Sequence, residues 1–138
     1  TNLIAPYCLI KEISPYFSKS SSLIFISSIG AIQGFPGNPG YQASKSGLDA
    51  LTRSLSIDLS SQDIRVNCIR LGYFKTDMTM QSYLDGKKRK ERTDRTIMGR
   101  WGAPDEVNGC IDFLLSNKSS YITGAFINID GGWSTKGL

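Results

Sequence analysis

A tyrosine and a lysine four positions apart are the residues of this sequence best suited to acid–base chemistry. They are Tyr41 and Lys45, in the run Tyr41-Gln-Ala-Ser-Lys45. In a helix the two side chains share one face, because residues i and i+4 are neighbours there. A free phenol has a pKa of about 10 and exchanges protons poorly at neutral pH, whereas a nearby ammonium favours its charged form. The pair therefore predicts proton exchange with a substrate oxygen near neutral pH.

Two serines precede this pair and add a second polar group. Ser27 and Ser28 end an apolar run, and a glycine-rich segment separates them from Tyr41. A hydroxyl at Ser28 can hydrogen-bond the same substrate oxygen. Both features also have a structural interpretation, because serines often end strands and a tyrosine can simply stack on a lysine stem. Spacing alone leaves both interpretations open.

The absence of histidine excludes several classes of site. The sequence has no His, so no Ser-His-Asp or Cys-His nucleophile system can form within it. Zinc sites built on His are excluded for the same reason, and we predict no metal site. The three cysteines, Cys8, Cys68 and Cys110, form no CxxC pair and indicate no disulfide framework. Acid–base chemistry must therefore use Tyr, Lys, Cys or a carboxylate.

The elements that position these side chains are predicted from apolar periodicity and from glycine and proline. Helices are predicted over residues 3–17, 41–61 and 105–115, and strands over residues 23–26, 64–69 and 125–129. The apolar run 23–26 is typical of a strand buried on both faces. A glycine-rich loop is predicted over 29–40, and a mobile, partly helical segment over 79–96. Strands joined by helices predict an α/β fold with a parallel sheet.

The charge of the chain is mild and concentrated in one run. The net charge is +4, from 16 basic and 12 acidic residues, and five of the basic residues lie between Lys87 and Arg92. The run has two interpretations: a solvated helix face, or a docking site for an anionic substrate carrier such as acyl carrier protein or coenzyme A. Because the excess charge is local, nucleic-acid binding is not predicted. No apolar run reaches the length of a membrane span, and a cytoplasmic protein is expected.

Two motifs resemble the active-site core of the short-chain dehydrogenase/reductase family. They are Ile26-Ser-Ser-Ile-Gly30 and Tyr41-Gln-Ala-Ser-Lys45-Ser-Gly-Leu48. The implied reaction is hydride transfer between NAD or NADP and a ketone or secondary alcohol. The resemblance assigns four catalytic residues: Asn2, Ser28, Tyr41 and Lys45.

The same resemblance implies a role for each of these residues. Tyr41 exchanges a proton with the substrate oxygen, and Ser28 holds that oxygen. Lys45 tunes Tyr41 and binds the ribose hydroxyls of the nicotinamide nucleotide. Asn2 helps to hold a water that links Lys45 to solvent.

Other segments agree with the family in the expected order. The run from Ile64 to Thr76 resembles the segment that contacts the nicotinamide, although Leu71 stands where the family has proline, which makes the turn less rigid. Further matches are Arg100–Val107, Phe113–Ser116 and Tyr121–Gly132. The residues implied to bind the cofactor are Tyr41, Lys45, Gly72, Phe74 and Thr76.

The resemblance begins at the catalytic Asn of the family, so the glycine-rich nucleotide-binding turn has no counterpart here. Residues 1–138 are therefore expected to form the carboxy-terminal half of one NAD(P)-binding domain. That half is a partial Rossmann-like fold with the last three parallel strands and their helices, and the amino-terminal half is missing. An exposed edge of the first strand favours association, so we expect a homo-oligomer and no stable active monomer.

Two functions from different classes remain open. The first is an oxidoreductase, with a 3-oxoacyl-[acyl-carrier-protein] reductase as the most specific candidate, so that the substrate is a small carbonyl or alcohol that can be linked to a carrier protein. The second is a non-catalytic, truncated fragment that cannot hold a cofactor and acts only as an assembling module. The sequence identifies neither the substrate nor the choice between NAD and NADP.

Overall fold

Three parallel strands form the sheet at the centre of the fold. A computed structural model describes residues 1–136 and places β1 (Ser22–Ser28), β2 (Arg65–Leu71) and β3 (Phe126–Ile129) in the order β1-β2-β3. Both neighbouring pairs are parallel. The predicted α/β fold with a parallel sheet is confirmed, and the observed strand bounds differ only slightly from the predicted ones.

The register of the sheet aligns the carboxyl ends of all three strands. Ser28 at the end of β1 pairs with Leu71 at the end of β2, and Leu71 pairs with Ile129 at the end of β3. The segments that follow the strands therefore meet at one edge of the sheet. In open parallel sheets, ligands bind outside this carboxyl edge.

The helices follow the predicted order, with shifted ends. The α-helices described within residues 1–136 are α1 (Ile4–Ile13), α2 (Pro39–Asp58), α3 (Met80–Leu84), α4 (Gly86–Arg95) and α5 (Asn108–Leu115). Short 3₁₀ turns extend α1 over Ser14–Tyr16 and precede α5 over Pro104–Val107. The segment predicted as partly helical thus contains two helices, α3 and α4.

The loop predicted over residues 29–40 is shorter in the structure: it ends at Asn38, because α2 begins at Pro39. Proline is well suited to the first turn of a helix, because the amide hydrogen it lacks would have no partner there. Asn38 precedes it and accepts a hydrogen bond from the amide of Tyr41. The prediction that residues 39 and 40 belong to the loop is therefore wrong.

Two apolar clusters fill opposite sides of the sheet. On one side, α1 and α2 contribute Ile10 and Leu48, which pack with Phe25, Val66 and Cys68 of the strands. On the other side, Leu114 of α5 packs with Ile69 of β2, Phe74 and Val107. Because alternate residues of a strand face opposite sides, β2 contributes to both clusters.

The first strand is less enclosed than its sequence predicts. Ile24 packs against the cluster beneath α5, but Ile26 of the same face remains 40% exposed. Within the described residues β1 has a neighbour on one side only, since β2 lies between β1 and β3. The prediction of a strand buried on both faces is wrong at Ile26.

No helix within residues 1–136 combines the length and the apolar character that a membrane span requires.

Candidate active site

The start of α2 is fixed against the preceding loop by one side chain. Gln42 Nε2 donates to the carbonyl of Phe35 at 2.5 Å, and the amide of Phe35 donates to Gln42 Oε1 at 2.8 Å. Asn38 Oδ1 also accepts from the amide of Tyr41 at 3.4 Å. Tyr41 therefore lies in the first turn of a helix whose preceding loop is fixed by hydrogen bonds from Gln42 and Asn38.

Lys45 lies one turn further along α2 and reaches back to β1. Its Nζ donates to the carbonyl oxygen of Ile26 at 2.8 Å and lies 5.7 Å from the centroid of the Tyr41 ring. Partial burial lowers the pKa of Lys45, opposed by the Coulomb effect of Cys68. The ammonium thus stands beside the Tyr41 ring with its position fixed by the strand.

Ser28 ends β1 in an extended conformation, and its side chain faces the start of α2. Its Oγ accepts a hydrogen bond from the amide of Gly30 at 3.1 Å. This bond uses an acceptor site of the hydroxyl, so its hydrogen can still be donated to a substrate oxygen. Ser27 is buried and instead donates to the carbonyl of Lys45 at 3.2 Å. Of the two adjacent serines, Ser27 therefore has a structural role, whereas Ser28 lines the cavity described next.

A cavity of about 370 Å³ brings together several of the predicted residues. It is lined by residues from before α1, from the end of β1, from α2 and from the segment after β2. Among the predicted site residues, Asn2, Ser28, Tyr41 and Gly72 line it. Lys45, Phe74 and Thr76 do not line this cavity. The sequence positions of the lining residues are far apart, so only the fold brings them together.

Asn2 occupies a different setting from the one its family match implies. The family has this residue within a helix, whereas Asn2 precedes α1, which begins at Ile4, and its side chain is exposed. It nevertheless lines the cavity with Ser28 and Tyr41.

The segment after β2 is anchored to Gly102 by backbone hydrogen bonds. The amide of Lys75 donates to the carbonyl of Gly102 at 2.9 Å, and the amide of Gly102 donates to the carbonyl of Tyr73 at 3.0 Å. The Phe74 side chain is buried in the cluster beneath α5, so only its backbone remains for contact with a ligand. Its carbonyl already accepts from Thr79 Oγ1.

Thr76 also forms hydrogen bonds with Thr79. Its amide donates to Thr79 Oγ1 at 3.0 Å, and the two hydroxyl oxygens lie 3.2 Å apart. A ligand contact at Thr76 therefore has to share or displace these bonds.

Gly72 has a packing reason to be glycine. A Cβ at this position would lie 2.6 Å from Cα and 2.7 Å from Cβ of Asp130. Asp130 follows β3 and accepts hydrogen bonds from the amides of Gly132 and Ser134. The close approach of these two segments, rather than a ligand, is enough to require a residue without a side chain.

Sequence reasoning missed six residues that line the cavity beside the predicted ones. They are Ile29, Phe35, Asn38, Gln42, Tyr73 and Met78. A polar residue in the first turn of a helix can fold back on the preceding loop, which is a signal that could have indicated Gln42. Nothing in the sequence pattern distinguishes Phe35 or Tyr73 from core aromatic residues.

An aromatic cluster borders the cavity and supports α4. Tyr73 lies 5.2 Å from Trp101 and 4.8 Å from Trp133 between ring centroids. Trp101 and Trp133 are 8% and 5% exposed. α4 has no buried residue, yet Arg92 stacks over Tyr73 at 4.8 Å and the indole nitrogen of Trp101 donates to the carbonyl of Arg89 at 3.4 Å. Cation–π contacts thus attach a helix without an apolar face.

An ion pair connects α2 with β2 behind the site. Arg70 Nη2 lies 2.6 Å from Asp49 Oδ2, with side chains 14% and 5% exposed. Burial raises the pKa of the neighbouring Cys68 thiol to about 11, and the Asp49 carboxylate adds to the effect. Cys68 is therefore a protonated core thiol and takes no part in proton transfer at neutral pH.

A second ion pair closes the turn before α5. Arg100 donates to both oxygens of Glu106, at 2.8 and 2.6 Å, and the amide of Ala103 donates to Glu106 at 2.7 Å. The bonds from Arg100, followed by that from Ala103, lower the pKa of Glu106 to about 2.

Comparison with known proteins places this arrangement among dehydrogenases and reductases. A family model described as enoyl-(acyl carrier protein) reductase matches residues 1–134. The chain is 39% identical over 132 residues to 3-oxoacyl-[acyl-carrier-protein] reductase FabG of Thermotoga maritima, which covers 96% of this chain and 50% of that protein. It is 35% identical to human dehydrogenase/reductase SDR family member 4, covering 95% of this chain and 48% of that protein.

A solved structure shares the fold over the whole chain. The structure of 4-hydroxyisoleucine dehydrogenase complexed with NADH superposes with a TM-score of 0.94 at 29% identity, covering 99% of this chain and 57% of that one. The chain spans about half the length of the curated relatives it matches. Because the family model matches nearly the whole length of this chain, the chain belongs to the short-chain dehydrogenase/reductase family.

Proposed function

We propose that this chain forms the catalytic part of an NAD(P)-dependent oxidoreductase that acts on a ketone or a secondary alcohol. The observation that carries the proposal is the shared cavity of Asn2, Ser28 and Tyr41, with Lys45 one helical turn beyond. The relatives named above are dehydrogenases and reductases, which supports the same reaction class.

The residues present are suited to the nicotinamide end of the cofactor. The cavity opens at the carboxyl edge of the sheet, where parallel sheets bind nucleotides. Tyr41 and Lys45 offer donors for ribose hydroxyls, and Gly72, Phe74 and Thr76 form the segment proposed to contact the carboxamide. When bound, the cofactor supplies or accepts the hydride. We propose that its pyrophosphate is held by an amino-terminal half of the same domain.

Tyr41 exchanges the proton in the proposed reaction. Its phenol gives a proton to a carbonyl oxygen during reduction, or takes one from an alcohol during oxidation. Ser28 donates its hydroxyl hydrogen to the same oxygen, since its acceptor site is occupied by the amide of Gly30. This bond fixes the oxygen beside the phenol, and positioned proton transfer of this kind contributes about 10²–10⁴-fold to rate.

Lys45 supports this transfer through its charge. Its ammonium lies 5.7 Å from the centre of the Tyr41 ring, and the bond to the Ile26 carbonyl holds the ammonium in place. Asn2, which lines the same cavity, is proposed to hold a water between Lys45 and solvent.

We further propose that residues 1–138 are the carboxy-terminal half of one nucleotide-binding domain. The half-length coverage of the relatives supports this arrangement. Apolar residues of α1 and β1 are exposed, including Ile4 at 66%, Leu9 at 57% and Ile26 at 40%, and a preceding half of the same protein is suited to cover them. A homo-oligomer is proposed on the same physical grounds. A cytoplasmic location is proposed because the cysteines are free thiols in the described residues.

A 3-oxoacyl chain linked to acyl carrier protein is the most specific substrate we propose. It is supported by the similarity to proteins named 3-oxoacyl-[acyl-carrier-protein] reductase and by the basic residues of α4.

The test is oxidation of NADH or NADPH with a β-keto ester such as ethyl acetoacetate, in a polypeptide that contains this chain and a nucleotide-binding half. Tyr41→Phe is expected to lower turnover by about 10²–10⁴-fold. Tyr121→Phe is the matched control, because Tyr121 is fully exposed and distant from the cavity lining. Unchanged turnover in Tyr41→Phe overturns the mechanism.

The alternative is a non-catalytic module that has kept catalytic residues without a cofactor site. It predicts that the longest polypeptide containing this chain neither binds NADH or NADPH in calorimetry nor oxidises either of them. Binding of one nucleotide by that polypeptide excludes the alternative.

A further inference from the structure

A second cavity adjoins the candidate active site. Its volume is about 600 Å³, and it lies between α4 and residues 33–36 of the loop before α2. Phe35 and Tyr73 line both this cavity and the one that contains Tyr41. These two rings therefore separate the cavities, and a substrate whose reacting carbon lies beside Tyr41 reaches the second cavity only by passing them.

Arg92 lines this cavity and has no carboxylate partner among residues 1–136. Its Nη1 is fully enclosed, and no acceptor in the described part of the chain lies within hydrogen-bond distance of it. Arg70 and Arg100 each have a carboxylate, at Asp49 and Glu106. The rings of Tyr73 and Trp101, at 4.8 and 5.9 Å, compensate the Arg92 charge only in part.

Other donors face the same space. Arg95 stacks over Trp133 at 5.0 Å and lines the cavity. The indole nitrogen of Trp133 donates to Gln33 Oε1 at 2.9 Å, which orients the Gln33 amide and leaves its Nε2 as a donor. Guanidinium and amide donors around a partly aromatic cavity are suited to a carboxylate or a phosphate group.

One acidic residue also lines the cavity. Glu91 is exposed, and no Lys or Arg nitrogen within the described residues lies close enough to form an ion pair with it. Two arginines against one glutamate leave the lining with a formal charge of +1. The carboxylate of Glu91 therefore weakens, but does not cancel, the attraction for an anion.

We propose that Arg92, Arg95 and Gln33 form a subsite for an anionic group of the substrate, either a carboxylate or a phosphate. This inference rests on the proposed function, because it names the substrate class of the same site. It places the anionic group beyond Phe35 and Tyr73 and the reacting oxygen at Tyr41 and Ser28. Arg92 and Arg95 both line the cavity and provide its positive charge, and because Nη1 of Arg92 is enclosed by protein, the anion is proposed to meet the accessible part of that guanidinium.

The first experiment measures binding without cofactor or turnover. The intrinsic tryptophan fluorescence of the protein is titrated with sodium succinate and, separately, with sodium phosphate, each at constant ionic strength balanced with sodium chloride. A saturable change is expected for at least one anion, because Trp133 lines the subsite. Saturation by succinate alone identifies a carboxylate site, and saturation by phosphate alone a phosphate site. Absence of saturation with both overturns the proposal.

Charge variants separate a built site from general attraction to a basic helix. Arg92→Gln is expected to weaken binding about tenfold or more, since a charge-assisted bond is lost. Lys87→Gln is the matched control, because it makes the same charge change on α4 outside the cavity lining. Equal weakening in both variants overturns the proposal.

Two further variants keep the test decisive if Arg92→Gln loosens α4. Arg95→Gln is expected to weaken binding and Glu91→Gln to strengthen it, each by about two- to tenfold. Both side chains are exposed, and the one buried side chain that either is known to contact is Trp133, on which Arg95 stacks within the described residues. If neither variant moves the affinity in its expected direction, the subsite does not exist.

Turnover then links the subsite to the substrate. In the polypeptide with its nucleotide-binding half, Arg92→Gln is expected to raise the KM for a long oxo acid such as 7-oxooctanoate about tenfold and to leave the KM for its ethyl ester unchanged. Equal effects on the acid and its neutral ester overturn the proposal. If the unsubstituted protein reduces neither compound, the proposed function fails on that ground, while the fluorescence titration still decides the subsite.

Discussion

Lys45 Nζ donates a 2.8 Å hydrogen bond to the backbone carbonyl of Ile26, two residues before the serine that lines the cavity. This bond connects α2 with the end of β1. It holds the ammonium 5.7 Å from the centre of the Tyr41 ring, and no carboxylate within residues 1–136 pairs with it. A backbone hydrogen bond therefore fixes the position of this positive charge beside the phenol.

Replacement of this ammonium is expected to reduce catalysis through the phenol. Lys45→Met should lower turnover about 10²-fold or more, because the ammonium that the Ile26 carbonyl holds beside the Tyr41 ring is lost. Steady-state kinetics measure turnover, and chemical denaturation of the same variant measures its stability. Lys11→Met, an exposed change on α1, is the control. A loss of turnover that is accompanied by a large loss of stability indicates a structural role only.

The clamp between Gln42 and Phe35 is expected to stabilise the active-site loop. Gln42→Ala removes two hydrogen bonds to the Phe35 backbone and should lower the free energy of unfolding by about 1–2 kcal/mol. Hydrogen exchange of the Phe35 amide should accelerate more than that of amides in β2. Gln62→Ala, on an exposed turn, is the matched control and should change little.

Gly72 is expected to tolerate no side chain. Gly72→Ala forces a methyl group to within 2.6 Å of Asp130 Cα, and the resulting shift of backbone should cost about 1–3 kcal/mol. Gly109→Ala is the control with the opposite sign: no atom lies within 4 Å of its new methyl group, and alanine in α5 should add about 0.5–1 kcal/mol. Chemical denaturation measures both. Equal stability of the two variants contradicts the packing explanation.

The buried pair of Asp49 and Arg70 is expected to be sensitive to loss of one partner. Asp49→Asn leaves the Arg70 guanidinium without its carboxylate and should cost about 2–4 kcal/mol. The exposed Asp58→Asn on the same helix should change stability little. If Asp49→Asn costs less than about 0.5 kcal/mol, Arg70 is compensated by solvent or by the Phe126 ring on which it stacks.

The Arg100–Glu106 pair gives a pH dependence of known sign. The pKa of Glu106 is lowered to about 2 in the folded chain from an ordinary value of 4.5. Its contribution to stability is therefore present above pH 4.5 and is lost as the pH falls toward 2. The difference in thermal unfolding temperature between the parent and Glu106→Gln should narrow between pH 6 and pH 3. A difference that stays constant contradicts the pairing, and Asp105→Asn is the exposed control.

The sequence predicted the fold class because periodicity is a local property. The leucines of α2 and the apolar run of β1 indicated a helix and a strand, and their alternation indicated a parallel sheet, all of which the structure has. The burial of Asp49 on the same helix could not be predicted, because it depends on the ion pair with Arg70 of β2. Thr52 is buried beside it, and its hydroxyl donates to the carbonyl of Leu48.

For the candidate site, residue types and order were enough to indicate Tyr41, Lys45 and Ser28 and the chemistry they suit. The shared cavity, the tether of Lys45 to Ile26 and the packing origin of Gly72 depended on contacts between residues far apart in sequence. The environment of Arg92, whose Nη1 has no hydrogen-bond partner within residues 1–136, also depended on such contacts. A charge run in sequence shows which residues are basic, but whether each one has a carboxylate partner is decided only by tertiary packing.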